Sequence, residues 1–233
     1  MMTLYETIFA RRSVRKYDEA PLDAQSLSAI QEYLAGIKQL PGHRARFEVV
    51  AGSKLKGGLA PYAILAFSGD DEEALVNIGY TLQEVDLWLQ SQGWGSVWCG
   101  MAAPLDKTPN YRILLGFGAT DVPFRDGENE FKRKKISEIS NADNVIARAA
   151  RLAPSAMNLQ PWKLIFSDGQ LKVQLNVRGI GRVFPGKLGL FDIGIVLKHI
   201  ELALAHTGKT INMRSFSGSG KDFTLTLSTS ENH

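Results

Sequence analysis

The chain has 233 residues, of which 44% are hydrophobic, and its 27 Lys and Arg against 24 Asp and Glu give a formal net charge of +3. This composition is typical of a globular protein with a real core, and the small charge does not predict nucleic-acid binding. The sequence lacks an apolar run long enough to cross a membrane, so we expect no membrane partner. Cys99 is the only cysteine, which excludes an internal disulfide, and the N-terminus does not resemble a secretory signal. Both features predict a cytoplasmic protein.

Hydrophobic periodicity predicts alternating helices and strands through the first half of the chain. Apolar residues at helical spacing predict helices, and short continuous apolar runs predict buried strands. The predicted elements are helices over 3–11, 24–38 and 72–92 and strands over 47–51 and 62–67. The segments 96–99 and 112–117 are predicted to be further strands or short connectors. Gly93 follows the longest of these helices, as a C-terminal capping glycine does.

The second half repeats this order of elements. Its predicted elements are helices over 141–152 and 192–206 and strands over 162–166, 171–177 and 221–228. Gly208 closes the long helix of this half as Gly93 closes its counterpart. The strict alternation of 221–228 predicts a half-exposed strand at a sheet edge.

A fixed offset of 115 residues relates the two halves. At this offset Asn77 falls on Asp192, and identical residues occur in the pairs Ile78/Ile193, Gly79/Gly194, Leu82/Leu197, Leu87/Leu202, Leu89/Leu204 and Gly93/Gly208. Two amphipathic helices share leucines by chance, but a strand and both terminal glycines fall in the same register. The pattern therefore favours a duplication, and we predict a single domain, 1–233, made of two repeats at about 1–125 and 126–233.

Four polar segments carry a resemblance to a known family. They are RRSVR at 11–15, GWGSVWCG at 93–100, FKRKKISEI at 131–139 and APSAMNLQPW at 153–162. Together they resemble the signature segments of FMN-dependent nitroreductases, with the third resembling a basic strand near the phosphate site. The resemblance implies an α+β, nitroreductase-like fold in which antiparallel or mixed central sheets are flanked by helices.

The order of the segments departs from that of ordinary nitroreductases, where the P-S-x-x-N turn soon follows the Arg-Arg-Ser segment. Here the turn lies about 140 residues downstream, in the second repeat. Ordinary members are homodimers that bind FMN at the interface, with one segment from each subunit. The sequence resembles a branch in which one duplicated chain mimics that dimer. A monomer would then suffice for binding, and a homodimer remains open.

The resemblance implies a set of residues that bind FMN through its phosphate, its ribityl chain and its ring. These residues are Arg11, Arg12, Ser13, Cys99, Gly100, Arg133, Lys135, Pro154, Ser155, Asn158 and Gln160. On an extended segment, alternate residues point to one side, so Lys134 is expected to face away from the site.

Each of these assignments has a plainer alternative. The chain has two clusters of basic residues, at 11–16 and 132–135, and each of them, taken singly, also fits a solvated surface. Arg12 or Arg15 also fits a structural role. Ser155 is equally suited to capping a turn, and Gln160 to holding the entry into a strand. Cys99 lacks a histidine partner that would predict a nucleophile. We predict no catalytic side chain and no metal site.

The implied reaction is a ping-pong transfer of electrons from NAD(P)H, a transient donor, through FMN to a small-molecule acceptor, a nitroaromatic or a quinone. Two alternatives remain open: another flavin reaction on the same fold, such as dehalogenation or flavin breakdown, and a non-catalytic flavin-binding or regulatory protein.

The offset also predicts that only one of two symmetric sites binds FMN. The counterparts of Ser155 and Asn158 are Leu40 and His43, and those of Arg11 and Ser13 are Asp126 and Glu128. Leucine offers no hydrogen bond, and carboxylates would repel a phosphate. We expect one FMN per chain.

Overall fold

The computed structural model describes residues 1–57, 60–176 and 187–231. The helices are α1 (Leu4–Ala10), α2 (Ala24–Gly36), α3 (Glu72–Ser91), α4 (Ile136–Ile139), α5 (Val145–Arg151) and α6 (Lys187–His206). The strands are β1 (Arg46–Ala51), β2 (Leu55–Lys56), β3 (Tyr62–Phe67), β4 (Gly95–Cys99), β5 (Ala103–Pro104), β6 (Tyr111–Gly118), β7 (Trp162–Ser167), β8 (Gln170–Leu175), β9 (Lys209–Ser217) and β10 (Thr224–Glu231). The helix and strand types expected from the periodicity are confirmed for all of the predicted elements.

Polar residues define where the helices begin, and glycines define where the long helices end. Four N-cap side chains accept a hydrogen bond from the backbone amide three residues on: Thr3, Asp23, Asp71 and Asn144. Each bond satisfies a donor that the first helical turn leaves without a partner. Gly93 and Gly208 adopt left-handed φ angles of 91° and 72° after α3 and α6, which confirms their predicted capping role.

Two antiparallel four-stranded sheets share one core with the long helices. Their strand orders are β1-β3-β6-β4 and β7-β8-β10-β9, so both sheets follow the same order when their strands are counted along the chain. Apolar residues of both sheets and of α3 and α6 form one cluster, with Ile64, Leu115, Leu164 and Leu225 among its fully buried members. The fold is therefore α+β with antiparallel sheets flanked by helices, as expected.

The prediction of an edge strand over 221–228 is wrong. β10 hydrogen-bonds to β8 on one side and to β9 on the other. Its alternation arises because Leu225 and Leu227 face the core while their neighbours do not. The strand at the edge is β9, which the sequence analysis missed because polar residues such as Asn212 and Arg214 interrupt its apolar pattern.

The basic segment 131–139 is not a strand. Residues 131–135 are irregular, and the chain then turns into α4. The amide of Lys135 donates a hydrogen bond of 2.8 Å to Glu138 Oε2, which fixes this helix start. In the predicted strand 171–177, β8 ends at Leu175, and Val177 lies outside the described residues.

The helices α3 and α6 cross in close contact at two glycines. A Cβ atom added to Gly79 would overlap the carbonyl of Phe191, and one added to Gly194 would overlap the carbonyl of Val76. Only glycine allows the two backbones to approach this closely. No helix in the described ranges is long and apolar enough to cross a membrane.

Side-chain contacts on the two sides of this crossing are related by the offset of 115. The amide of Gln83 lies 3.1 Å from His199 Nε2 and donates to Asp86 at 3.1 Å. At the offset of 115, Gln83 corresponds to Lys198, Glu84 to His199 and Asp86 to Glu201. The ammonium of Lys198 donates to Glu84 at 2.7 Å and to Glu201 at 2.8 Å. The crossing therefore has two ends with the same geometry and different side chains.

Candidate functional site

Arg11 is anchored at the first end of the helix crossing. It follows α1, its side chain is 1% exposed, and its Nε lies 2.9 Å from the fully buried carboxylate of Asp86. Asp86 also accepts hydrogen bonds from Ser96, Gln90 and Gln83 at 2.6–3.1 Å. These hydrogen bonds hold the carboxylate of Asp86 in place, and its ion pair in turn fixes the guanidinium of Arg11.

Three further arginines surround Arg11. Arg125 donates to the carbonyl of Arg11 and lies with its guanidinium 4.2 Å from the ring of Phe131. Burial and the charges of Arg11, Arg125 and Arg151 lower the pKa of Arg133 to about 9. Arg133 is therefore both desolvated and close to other cations, and an anion bound there would stabilise its charged form.

The carboxylates at this end do not neutralise the arginines. Asp86 pairs with Arg11, and two more pairs are Arg12–Glu130 at 3.2 Å and Arg151–Glu128 at 3.4 Å. Among the described residues, five arginines therefore meet three carboxylates. We name the five, Arg11, Arg12, Arg125, Arg133 and Arg151, the arginine cluster.

Several buried donors of the arginine cluster have no hydrogen-bond partner among the described residues. They are Nη2 of Arg11 and Nε of Arg12, Arg133 and Arg151. Buried guanidinium donors without acceptors are costly unless an anion satisfies them. The excess of two positive charges and the unused donors fit a phosphate dianion, because arginine binds phosphate oxygens through several donors at once.

The predicted P-S-x-x-N turn lies directly against this cluster. Arg133 donates from Nη1 to Asn158 Oδ1 at 2.7 Å and from Nη2 to the carbonyl of Leu152 at 3.1 Å. The side-chain amide of Asn158 in turn donates from Nδ2 to the backbone carbonyl of Lys132 at 2.8 Å. Arg11, Arg133 and Asn158, which lie far apart in sequence, are thus brought to one place.

The backbone of this turn is strained. Met157, Asn158 and Gln160 have φ angles of 51°, 57° and 46°, in the left-handed region that non-glycine residues rarely adopt. Each such residue raises the free energy of the fold unless surrounding contacts determine its conformation, and such strain is concentrated at functional sites.

Hydrogen bonds from several elements hold the strained turn. The hydroxyl of Ser155 accepts from the amide of Gln160 at 2.9 Å, and the Gln160 side chain donates to the carbonyl of Asn158 at 2.9 Å. The carboxyl of Asp192, on α6, accepts from the amide of Ala156 at 3.1 Å. Pro154 is buried at the start of the turn. Ser155 and Gln160 therefore have the structural roles that the sequence analysis left open.

Cys99 and Gly100 lie at the end of β4, beside the first turn of α6. A Cβ atom added to Gly100 would be 3.6 Å from Leu188, and Asp192 lies one turn further along the same helix. Burial raises the pKa of the Cys99 thiol, which disfavours a reactive thiolate. The start of α6 thus links the end of β4 to the strained turn.

Three other predicted residues have more peripheral positions. Ser13 is half-buried and forms a backbone bridge with Ser96. The amide of Arg12 donates to Gln90 at 2.9 Å, and its side chain pairs with Glu130. The side chain of Lys135 is exposed. Lys134 does not simply face away from the site, because its ammonium donates to the carbonyl of Leu159 at 2.6 Å.

The sequence analysis missed Asp86, Arg125, Arg151 and Asp192. Asp86 lies in a helix whose pattern predicts only a core, and Arg125 and Arg151 belong to no recognised segment. The offset of 115 did align Asp192 with Asn77, and this was a usable signal. Both side chains are buried and accept a hydrogen bond from a turn, since Asn77 accepts from the amide of Leu40 at 2.8 Å.

The opposite end of the helix crossing has a different composition. The ammonium of Lys198 pairs with Glu84 and Glu201, and Glu201 also pairs with Arg214 at 2.5 Å and accepts from Tyr80 at 2.6 Å. Within the described part of the chain, two cations and two carboxylates balance at this end, in contrast to the excess of cations in the arginine cluster.

The counterparts predicted for the second site are only partly at this end. Leu40 is buried, and His43 lies 3.3 Å from Glu73. Glu128, however, pairs with Arg151 in the arginine cluster. The prediction that Asp126 and Glu128 repel phosphate at a second site is therefore not supported, because the ungapped offset does not extend to these residues.

Solved structures of other proteins resemble this chain to different extents. Over its whole length the chain is similar to the crystal structure of a "putative nitroreductase" from Thermotoga maritima, with 23% identity, a TM-score of 0.70 and coverage of 97% of this chain and 93% of the other. An FMN-dependent nitroreductase from Clostridium difficile is 20% identical with a TM-score of 0.42, over 52% of this chain and 88% of the other. The comparison with curated proteins finds no match.

The fold is thus that of the nitroreductases, a class of oxidoreductases. Residues 3–204 match the family described as "Putative TM nitroreductase". The match spans most of the chain, and the protein belongs to this nitroreductase family.

Proposed function

We propose that the chain binds one FMN non-covalently and uses it to pass electrons from NAD(P)H to a nitroaromatic or a quinone by a ping-pong mechanism. The observation that carries this proposal is the arginine cluster, whose excess positive charge and unused buried donors lie against the strained turn at Asn158. Family membership supports the choice of FMN over other phosphate-bearing ligands.

Different side chains and backbone groups of the site would bind different parts of FMN. Arg11 and Arg133 would hold the phosphate, with Ser13 beside them. Asn158 and the backbone of the turn at 154–160 would hold the ribityl chain and one edge of the ring. The backbone of Cys99 and Gly100 would contact the ring from the start of α6.

When it is bound, FMN supplies the hydride and electron chemistry, and the protein supplies position and electrostatics. Asp86 holds the guanidinium of Arg11 in place before the cofactor arrives. The left-handed backbone of Met157, Asn158 and Gln160 would fix the orientation of the amide groups that the turn offers to the ring. No side chain of the site is assigned a proton-transfer step.

We also propose that the two halves are repeats of one unit, so that one chain acts as the pseudo-dimer described above. A pseudo-twofold axis between α3 and α6 is supported by three features: the shared strand order, the contacts at Gly79 and Gly194, and the corresponding side-chain contacts of Gln83 and Lys198. A monomer would then suffice for binding, with a homodimer left open, and we expect the protein in the cytoplasm.

The experiment has two stages that separate binding from catalysis. FMN is first titrated into the purified protein and followed by the quenching of flavin fluorescence. The bound flavin is then mixed with NADH or NADPH in a stopped-flow instrument, and its bleaching and its reoxidation by a nitroaromatic or a quinone are recorded.

Three outcomes are informative. Fast bleaching and reoxidation would support the full proposal. Flavin that binds and is never reduced would identify a non-catalytic flavin-binding protein. A failure to bind at saturating FMN would overturn the proposal.

A further inference from the structure

Asp192 is a buried acid whose place the proposed reaction does not explain. Its side chain is 4% exposed, and it lies on α6 where that helix faces the turn at 155–158. Both carboxyl oxygens lie within reach of the Ala156 amide, at 3.1 and 3.3 Å. This amide is the one that follows Ser155, at the entry to the strained backbone.

A buried carboxylate needs several donors or a cation, and Asp192 has neither among the described residues. The turn presents one backbone amide to it. From α3, Val76 and Gly79 contact the same stretch of α6 through their backbones. Asp86, by contrast, is equally buried but is surrounded by an arginine and three neutral donors.

The chemical consequence is that Asp192 retains its proton near neutral pH. Burial raises its pKa to about 8, and only the hydrogen bond from Ala156 opposes this rise. No charged side chain within the described part of the chain contributes to the shift.

The position in the first half that corresponds to Asp192 carries a neutral side chain, and its contacts show what an uncharged group does there. At the offset of 115, Asn77 is 1% exposed, and its Oδ1 accepts from the amide of Leu40 at 2.8 Å. Leu40 lies in the counterpart of the 155–158 turn. An uncharged side-chain oxygen on the central helix therefore holds the turn in both halves.

From this geometry we propose that Asp192 is a positioning residue for the cofactor: its protonated carboxyl holds the turn at 155–158 in the binding conformation, and its ionisation releases that turn. Because the amide of Ala156 is the only donor to this carboxyl among the described residues, ionisation favours conformations in which the turn opens and water reaches Asp192. The inference rests on the proposed binding of FMN at this turn.

The first test measures the dissociation constant of FMN between pH 7 and pH 9 in the wild type and in Asp192→Asn. The amide keeps the acceptor and removes the ionisation. We expect the two proteins to agree within about threefold at pH 7, and the wild-type dissociation constant to rise about tenfold more than that of the variant by pH 9.

Arg133 also affects this experiment, because its pKa of about 9 predicts weaker phosphate binding at high pH. That effect occurs in both proteins, so only the difference between their profiles tests Asp192. Equal pH profiles would overturn the inference. So would an Asp192→Asn protein that loses FMN as completely as Asp192→Leu, which has no acceptor.

The second test needs no cofactor and separates this inference from the proposed function. The folded-state pKa of Asp192 lies above its unfolded value, so its contribution to stability is complete below about pH 4 and decreases as the pH rises towards 8. The melting temperature of the apoprotein should therefore rise in Asp192→Asn relative to wild type, and by more at pH 8 than at pH 5.

A matched variant in the other half completes the design. Asn77→Asp introduces a carboxyl at the corresponding position, so it should acquire a pH-dependent stability while its FMN profile stays that of the wild type. A melting-temperature difference between Asp192→Asn and wild type that does not change with pH would overturn the inference even if wild-type protein binds no FMN.

Discussion

The two ends of the α3–α6 crossing have side-chain contacts at corresponding positions but differ in electrostatics. At one end Arg11, Arg12 and Arg151 pair with Asp86, Glu130 and Glu128, whereas Arg125 and Arg133 have no carboxylate partner among the described residues. At the other end the charges of Lys198 and Arg214 are balanced by Glu84 and Glu201, although Nε of Arg214 is also a buried donor without a hydrogen-bond partner. An end with an excess of buried cations needs an anion from outside, and an end with balanced charges does not. The comparison therefore locates the proposed cofactor site at the first end alone.

The largest effect is expected from Arg11→Met. The substitution leaves Asp86 buried without its cation, which costs about 3–5 kcal/mol of unfolding free energy, and it removes a charge-assisted contact with phosphate worth about 1.5–3 kcal/mol. Urea denaturation and FMN titration measure the two effects.

Two controls sharpen this result. The double variant Arg11→Met with Asp86→Asn should recover much of the stability and none of the FMN affinity. Lys198→Met, at the opposite end, should lose stability and retain FMN binding. Equal loss of FMN in Lys198→Met and Arg11→Met would contradict the assignment of the site to one end.

The next largest effect is expected at the helix crossing. Gly194→Ala places a methyl group against the carbonyl of Val76, and Gly79→Ala does the same against Phe191. Each should destabilise the protein by about 3 kcal/mol, the upper range for overpacking, because neither backbone can move freely. Gly36→Ala is the matched control, since a Cβ atom there meets nothing within 4 Å. A pronounced difference between Gly194→Ala and Gly79→Ala in urea denaturation would argue against the pseudo-twofold axis.

A pH effect is expected from His199, at the same end as Arg11. Burial lowers its pKa to about 3, so the unfolded chain binds a proton that the folded chain does not. The stability that this provides is complete above about pH 6.5 and is lost as the pH falls towards 3, with a slope of up to about 1.4 kcal/mol per pH unit. His199→Gln can keep the contacts with Gln83 and Ala149. The unfolding free energy of His199→Gln should depend less on pH between 6.5 and 4 than that of the wild type. An unchanged dependence would show that the folded wild type protonates His199 as readily as the unfolded chain does.

The smallest effect is expected from Asn158→Gly. Glycine keeps the left-handed backbone, so the substitution removes the side-chain contacts with Arg133 and Lys132 and the proposed contact with FMN. FMN should bind about 3–10 times more weakly, as expected for the loss of one hydrogen bond. His43→Gly is the counterpart in the first half and should leave the dissociation constant unchanged. If the two variants weaken FMN equally, the halves have not specialised.

Local sequence patterns predicted most of the fold, because periodicity and capping residues act within one element. The start of α3 at Asp71 and its closure at Gly93 are examples. β9 and the position of β10 inside its sheet were missed because strand order depends on pairing between distant segments. The prediction of a strand over 131–139 was wrong because the side chain of Glu138 accepts from the amide of Lys135 and so favours the start of a helix there.

The candidate site was predictable only where a motif marked it. Arg11, Asn158 and Arg133 belong to recognisable segments, and the structure brings these three together. Asp86 and Asp192 are single polar residues within apolar helices, so their roles depend on what the fold places opposite them. Asp192 was accessible through its alignment with Asn77, whereas no local signal marks Asp86.

The central claim is that one end of the crossing binds FMN and the other does not, and the amount of FMN per chain tests it most directly. Protein saturated with FMN and freed of excess flavin is denatured, and the released FMN is quantified against protein concentration for the wild type and for Arg11→Met with Asp86→Asn. The account predicts one FMN per chain in the wild type and close to none in the variant. Two FMN per chain, or one that survives in the variant, would contradict it.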